Sequence, residues 1–287
     1  MVLQSIDGKD PKAQSLAVMA LEQHGAVVVR QIVDISFLCS LKARMDQDTK
    51  RLLEFCEKIG GNPRDAGHLQ QSPPTHPPYL HQDILAHPLI WGIAREILGS
   101  QASLMFYSGN TNCPGSTAQA VHIDQPREHL SGQATSALNI NIPVQNIGPE
   151  NGSIELWPGT HILPTKTRVS SQDLDQRREV VPPIQPRVCA GDVLLRNPRT
   201  WHRGIPNLSQ EYRHMLTVLI HRQPKGPVAF DFSAREFVEV AGVPLNVDFR
   251  DYTQEYLFEP TRWLSEASKS KEVGSGKQKS ARPLVDI

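Results

Sequence analysis

The chain has 287 residues, of which 39% are hydrophobic and 21% are charged. This length is sufficient for one large domain with a substantial core. Lysine plus arginine number 30 and aspartate plus glutamate also number 30, so the formal net charge is zero. This balance gives no electrostatic reason to expect nucleic acid or an anionic membrane as a partner.

The sequence carries no recognisable targeting or membrane segment. No stretch approaches the roughly 18 to 20 apolar residues that a membrane helix requires, and the N-terminus lacks the basic then apolar order of a signal peptide. We therefore expect a cytoplasmic protein. The four cysteines are far apart and form no C-x-x-C pair, which disfavours disulfides or a cysteine zinc site. They are Cys39, Cys56, Cys113 and Cys189.

The first hundred residues favour helices around one short strand. Between residues 10 and 53 the apolar residues recur at spacings of three and four on both sides of the β-branched run 26–29, which predicts helix, strand and helix. Residues 60–78 are rich in Gly, Pro and His, which predicts a long irregular loop of the kind that often forms a lid. We expect its histidines, such as His68, to be exposed. Another amphipathic helix is predicted over about 88–98, ending at a glycine.

The pattern changes to short β-rich runs between residues 104 and 221. The runs, separated by Pro, Gly and Asn turns, are 104–109, 120–124, 137–145, 153–157, 187–196 and 214–222. This series predicts a mainly β fold, an antiparallel barrel or sandwich, with α-helices on its outside. We predict one domain over 1–264 and a flexible tail rich in Ser, Lys and Gly over 265–287, because the tail cannot bury enough apolar surface to offset its ordering entropy.

Two candidate metal ligands stand close together in the run AQAVHIDQP. His122 and Asp124 are two residues apart, so on a β-strand both side chains leave the same face. His202 supplies a third candidate at the end of the later run DVLLRNPRTWHRG. Two histidines and one carboxylate on one side of a metal leave the opposite positions open, which suits Fe(II) that binds a keto acid and then O2. Zinc would accept the same ligands.

An arginine after the third ligand strengthens this interpretation. On its predicted strand Arg213 shares a face with Met215, Thr217 and Leu219. An arginine that points into an apolar barrel is costly unless it has an anion to pair with. Its bidentate fork suits the distal carboxylate of 2-oxoglutarate. The alternative is that Arg213 faces outward beside Glu211.

Together these residues resemble the phytanoyl-CoA dioxygenase family. The features that match in order and spacing are His122-x-Asp124, the turn 150–152 leading to 157–161, the strand 190–193, His202 and Arg213. The segments 23–34 and 87–99 also resemble the opening elements of the family. The likeness covers about residues 14–222 and rests on a combination far more specific than any single motif.

The resemblance implies a double-stranded β-helix, a barrel of the jelly-roll or cupin type. It also implies Fe(II) bound by His122, Asp124 and His202, the carboxylate of 2-oxoglutarate at Arg213, and O2 as the oxidant. The family likeness alone suggests a homodimer.

Three further residues are assigned to the co-substrate site by the same resemblance. Gln119 lies three residues before the first histidine, where some members of the family use a glutamine to contact the co-substrate. Asn141 falls where other members place a co-substrate contact. Tyr107 is a candidate for the pocket wall, and the alternative for it is a buried structural role.

The expected function is that of a 2-oxoglutarate-dependent non-haem iron dioxygenase. Its substrate is expected to be a small, largely apolar molecule of secondary metabolism, oxidised by hydroxylation, desaturation or a related reaction at a C–H bond. No peroxisomal signal is visible, which disfavours the substrate that gives the family its name. The alternatives are a barrel of the same ancestry that binds a ligand or partner chain without turnover, and a metal enzyme for hydrolysis or isomerisation.

Overall fold

A computed structural model describes residues 2–58, 64–65, 67–124, 135–163, 169–224, 226–253 and 255–259. The predicted tail at 265–287 therefore lies outside the described residues, as does part of the loop predicted over 60–78. Among the described helices, none combines the length and the apolar character needed to cross a membrane.

The helices include all those predicted from the sequence. They are α1 (Ala13–His24), α2 (Ile35–Lys58), α3 (Gln82–Leu85), α4 (Pro88–Leu98), α5 (Ser171–Val180), α6 (Arg235–Val240) and α7 (Glu255–Phe258). Helix α1 ends at Gly25 in the left-handed conformation, φ 76°, where its N–H donates to the carbonyl of Leu21 at 2.9 Å. A Cβ at Gly25 would lie 2.5 Å from Nδ1 of His161. Both the backbone angle and this close approach require glycine.

The strands form one large sheet and two small ones. They are β1 (Ser5–Asp7), β2 (Ala26–Arg30), β3 (Arg64–Asp65), β4 (His68–Gln70), β5 (Ser103–Asn112), β6 (Ala137–Pro143), β7 (Ile154–Leu156), β8 (Val193–Arg196), β9 (His202–Gly204), β10 (Arg213–His221), β11 (Val228–Asp231) and β12 (Val247–Arg250). The large sheet has the order β1-β2-β8-β6-β10-β5-β4-β3, and the small sheets pair β7 with β9 and β11 with β12.

The structure corrects two local expectations. Residues 120–124 form no regular strand, because His122 makes only a single antiparallel bridge, to His202. The loop predicted over 60–78 contains strand β4, which pairs with β5, and its described part includes the buried residues His68, Gln71 and Thr75. His68 is therefore not exposed, and this part of the segment is not a lid. Hydrogen bonds fix two of these side chains inside, since Oε1 of Gln71 accepts from the hydroxyls of Thr49 and Thr111 at 2.8 Å and Nε2 of His68 lies 3.0 Å from the carbonyl oxygen of Thr117.

The two faces of the large sheet differ in chemistry. Along β6 the apolar residues Ile140 and Ile142 point to the outer face and join a core that includes residues of α1, α2 and α4. Asn139 and Asn141 alternate with them and point to the inner face, where Asn141 donates to the hydroxyl of Thr217 at 3.1 Å. Strand alternation thus separates an apolar face covered by helices from a polar interior.

A second layer lies over this inner face. Ile154 and Leu156 of β7 pack in one buried cluster with Leu194 of β8 and Met215 of β10. The layer is extended by isolated bridges, including the one from His122 to His202. The described hydrogen bonds do not close the sheets into a barrel. The observed fold is a sheet-rich α/β arrangement whose interior lies between the large sheet and the β7–β9 layer.

Candidate metal centre

The three predicted ligands come together in the interior. The candidate donor atoms of His122, Asp124 and His202 all lie within 4.8 Å of one another. The backbones of the two histidines bond reciprocally, at 2.9 Å and 3.0 Å, and the N–H of Asp124 donates to the carbonyl of Pro198 at 3.0 Å. His122 and His202, which are 80 positions apart, are thus joined by pairing between the 120–124 segment and β9 rather than by any local motif.

The hydrogen bonds of the two imidazoles leave one nitrogen of each ring directed at the carboxylate. Nδ1 of His122 donates to the carbonyl of Ala120 at 2.9 Å, and Nδ1 of His202 donates to that of Thr200 at 2.9 Å. The Nε2 atoms of His122 and His202 lie 3.7 Å and 3.3 Å from Oδ1 of Asp124. A ring that donates from Nδ1 keeps its lone pair on Nε2, which is the form that binds a metal ion.

The electrostatics of the site favour the same protonation states. Burial raises the pKa of Asp124, but its neighbours His202, Arg196 and His122 outweigh this effect and hold that pKa well below its ordinary value. Burial and the charge of Arg196 lower the pKa of His202 to about 4. At neutral pH the site therefore offers a carboxylate and a neutral buried imidazole. The His122 side chain is 41% exposed and that of His202 only 6%, so the site opens on the His122 side.

Two residues from the large sheet hold the carboxylate. Nη2 of Arg196, the last residue of β8, lies 2.5 Å from Oδ2 of Asp124. Nδ2 of Asn139, on the neighbouring strand β6, donates to the same oxygen at 2.9 Å. Nη1 of Arg196 also lies 3.2 Å from Nδ1 of His202. Both side chains are buried, so Asp124 is fixed to the inner face of the sheet.

Arg213 is buried on the same inner face. It is the first residue of β10, and its Nε donates to the carbonyl of Gly152 at 2.9 Å. Its Nη1 is buried and has no hydrogen-bond partner among the described residues. Burial lowers the pKa of Arg213 to about 10, which still leaves a cation at neutral pH. The alternative that Arg213 points outward beside Glu211 is wrong.

The other co-substrate candidates have different surroundings. Gln119 accepts a 2.9 Å hydrogen bond at Oε1 from the N–H of Gly204, two residues after the ligand His202. Asn141 lies on the inner face, and its buried Oδ1 has no partner among the described residues. Tyr107 lies on the opposite face, in the outer core, with its ring centroid 5.7 Å from that of Phe230. The assignment of Tyr107 to the pocket wall is therefore corrected, since strand alternation directs it towards the helices.

The sequence pattern of the family described as phytanoyl-CoA dioxygenase (PhyH) matches residues 21–215, more than half of the chain. The chain belongs to the phytanoyl-CoA dioxygenase family. This assignment agrees with the resemblance seen in the sequence motifs.

Fungal relatives extend the family assignment. The chain is 27% identical over 203 residues to the dioxygenase aneA of Aspergillus aculeatus, covering 67% of this chain and 66% of aneA. It is 25% identical over 241 residues to the multifunctional dioxygenase prhA of Penicillium brasilianum, covering 77% of this chain and 78% of prhA. The chain thus spans about two thirds or more of the length of these relatives.

Two solved structures of low sequence identity share the fold. AviO1 from Streptomyces viridochromogenes Tue57 superposes with a TM-score of 0.53 at 19% identity, covering 75% of this chain and 97% of AviO1. SnoK, described as a non-haem alpha-ketoglutarate-dependent carbocyclase from nogalamycin biosynthesis, gives a TM-score of 0.51 at 20% identity, covering 72% of this chain and 83% of SnoK. At these identities the likeness concerns the fold.

The sequence of this phytanoyl-CoA dioxygenase family member did not lead us to predict Arg196 and Asn139 as residues of the metal site. A signal for Asn139 was present, because in ALNINIP the two asparagines alternate with apolar residues and so mark a polar face within a buried strand. The signal for Arg196 was weaker. Arg196 follows the apolar run VLL, and an arginine at the end of a strand is usually expected to be exposed.

Proposed function

We propose that this chain is an Fe(II)- and 2-oxoglutarate-dependent dioxygenase that oxidises a C–H bond of a small, largely apolar molecule. The proposal rests on one observation, the convergence of His122, Asp124 and His202 on the same interior surface that buries the cation Arg213. The family assignment and the relatives named as dioxygenases support it. SnoK, which is described as an enzyme of nogalamycin biosynthesis, and the fungal dioxygenases aneA and prhA support a role in secondary-metabolite biosynthesis.

The donor set fits Fe(II). Two imidazole nitrogens and one carboxylate oxygen on one side of an ion match the facial arrangement that leaves coordination positions open on the other side. Each histidine is oriented by an Nδ1–H bond to a backbone carbonyl, as metal-binding histidines usually are. The partly exposed His122 lies at the edge where a substrate would approach.

The arginine fits the dianionic co-substrate. A buried guanidinium with an unused Nη1 is costly unless an anion completes its hydrogen bonds. The distal carboxylate of 2-oxoglutarate would supply that partner through charge-assisted bonds. Asn141, with its unpaired Oδ1 and its Nδ2 on Thr217, and Gln119, with its Oε1 held by Gly204, are the proposed polar neighbours of the co-substrate.

The residues of the chain would bind, orient and shield the reactants. When bound, the iron and 2-oxoglutarate supply with O2 the oxidation of an unreactive C–H bond, while 2-oxoglutarate is converted to succinate and CO2. His122, Asp124 and His202 would hold the metal, and the buried Arg213 would bind and orient the co-substrate. The apolar cluster around Leu194 and Met215 keeps water away from this inner end.

We also propose that the large sheet and the β7–β9 layer together form a double-stranded β-helix within one domain. Hydroxylation, desaturation, epoxidation and rearrangement are all compatible with this site. The cytoplasmic location and the homodimer stay predictions.

The decisive experiment is an anaerobic titration of the purified chain with Fe(II) and 2-oxoglutarate. The expected result is a weak visible charge-transfer band from the chelate, lost in His202→Ala and retained in Arg203→Gln. Arg203 is a matched control because it lies beside His202 but pairs with Glu155 at 2.8 Å, away from the ligands. If no band appears in the wild-type chain, the dioxygenase proposal fails. A barrel without turnover or a site for another metal would then be favoured.

A further inference from the structure

The two oxygens of the Asp124 carboxylate face different partners. Oδ1 is directed at the Nε2 atoms of His122 and His202, at 3.7 Å and 3.3 Å. Oδ2 is directed at the large sheet, 2.5 Å from Nη2 of Arg196 and 2.9 Å from Nδ2 of Asn139. Only one oxygen of this carboxylate is therefore free to bind a metal.

Both partners of Oδ2 are built into the core of the sheet. Arg196 and Asn139 stand opposite each other in the register of β8 and β6, on the face that points to the interior. They are 2% and 3% exposed, so neither can move away without leaving a buried polar group unpaired. A buried arginine is costly on its own, and Asp124 is the acidic side chain with which it pairs.

Arg196 also contacts a second ligand. Its Nη1 lies 3.2 Å from Nδ1 of His202 while its Nη2 lies on Oδ2 of Asp124, so one rigid guanidinium spans two of the three ligands. This second contact is not a hydrogen bond, because Nδ1 of His202 already donates its proton to the carbonyl of Thr200 and Nη1 of Arg196 is itself a donor. The hydrogen bond by which Arg196 acts on the ligands is therefore the one to Oδ2 of Asp124.

We propose that Arg196 and Asn139 are positioning residues that hold Oδ2 of Asp124 and leave Oδ1 as its single metal-binding oxygen. This inference rests on the proposed function, since it assigns the outer partners of the same metal site. Holding Oδ2 prevents the carboxylate from chelating the metal with both oxygens. A coordination position is thereby kept for the co-substrate or O2.

The test uses Co(II) as a spectroscopic substitute for Fe(II). Asn139→Ala removes one donor to Oδ2 without changing the charge of the site, and we expect it to weaken Co(II) binding by about 10- to 100-fold, as for other outer partners of metal ligands. Arg196→Gln has two opposed effects on affinity, because it frees the carboxylate but also removes a cation that repels the metal. Its expected signature is instead an altered visible spectrum of bound Co(II).

Conservative and matched variants separate positioning from a general loss of structure. Arg196→Lys keeps a donor to Oδ2, so its Co(II) spectrum is expected to return towards that of the wild type. Arg203→Gln removes an arginine that is paired with Glu155 and is expected to leave both Co(II) affinity and spectrum unchanged. Circular dichroism monitors folding. If Arg196→Gln does not fold, the Co(II) affinity of Asn139→Ala, which does not change the charge of the site, tests the positioning role by itself.

The outcomes distinguish this inference from the proposed function. If the wild-type chain binds Co(II), and folded Asn139→Ala and Arg196→Gln bind it with wild-type affinity and spectrum, the positioning role is wrong while the proposed function stands. If the wild-type chain binds no Co(II) at all, the metal site itself is wrong and the positioning role falls with it. Weaker binding in Asn139→Ala together with an altered spectrum in Arg196→Gln supports the inference.

Discussion

At the scale of single residues, Arg213 shows how an unsatisfied group points to a ligand. Its side chain is almost fully buried and is held by one bond to the carbonyl of Gly152, while Nη1 has no partner among the described residues. A structural arginine inside a protein is normally paired with an acid and has its other donors satisfied. The incomplete pairing of Arg213 is what a binding site for an anion requires.

Substitution of Arg213 should separate co-substrate binding from metal binding. We expect Arg213→Ala to weaken 2-oxoglutarate binding to the Co(II)-loaded chain by at least about 30-fold, since truncating one partner of a buried charge pair costs about 2 kcal/mol or more. Co(II) binding should be almost unchanged, and Arg213→Lys should be intermediate because it keeps the charge without the fork. Isothermal titration calorimetry measures both affinities. Equal losses of both would show that Arg213 supports the fold rather than the co-substrate.

At the scale of elements, strand β10 uses its two faces for different purposes. Arg213 points to the interior, whereas the next residue, His214, points outward and is completely buried beneath helix α2. The Nε2 atom of His214 lies 2.9 Å from Oδ1 of Asp46 on α2, and its Nδ1 lies 2.8 Å from Oγ1 of Thr111 on β5. Helix α2 is thus attached to the strand that carries the arginine by polar contacts as well as by apolar packing.

The contact between His214 and Asp46 should contribute to the stability of the fold but not to ligand binding. We expect Asp46→Ala and His214→Ala each to lower the free energy of unfolding by about 1 to 3 kcal/mol, because Asp46→Ala leaves the buried Nε2 of His214 unpaired and His214→Ala removes a completely buried side chain. The double variant should lose less than the sum, since the two residues are in contact. Urea unfolding measures these values, and Lys42→Ala removes the other ion pair of Asp46 as a control. Loss of 2-oxoglutarate binding in folded His214→Ala would contradict the separation of the two faces.

At the scale of the whole molecule, one buried and one half-buried histidine should make the chain sensitive to acid. Burial lowers the pKa of His161 and of His87 from the ordinary value of 6.5. The unfolded chain therefore binds more protons than the folded chain below about pH 6.5, so stability rises with pH across this window and falls as the solution is acidified. His161 lies at the junction of α1, β2 and the second layer, where its Nε2 is 3.0 Å from the carbonyl of Glu22.

Unfolding of the metal-free chain as a function of pH tests this expectation. The free energy of unfolding should decrease between pH 7 and pH 5, with each such histidine contributing at most about 1.4 kcal/mol per pH unit. His161→Gln and His87→Gln should each reduce the slope, because the substituted side chain does not titrate. A slope that is unchanged in both variants would place the acid sensitivity in other groups.

The sequence by itself determined helices α1, α2 and α4, the longer strands of the large sheet and the identity of the three candidate ligands. Periodicity predicted α1, α2 and α4, and the spacing of His122 and Asp124 indicated their pairing, because these signals depend on neighbours in the chain. The sequence also indicated Arg213 as the residue that binds the co-substrate carboxylate, but it left open whether that side chain points inward or outward.

Only the tertiary structure decided the face on which each residue lies and which distant residues meet. It directed Arg213 to the interior and Tyr107 to the helices, and it joined Arg196 and Asn139 to Asp124. These outcomes depend on the register between strands that are far apart in sequence, and a shift of one residue exchanges the two faces. Local patterns carry no information on that register, so the ligands could be predicted while the residues that hold them could not.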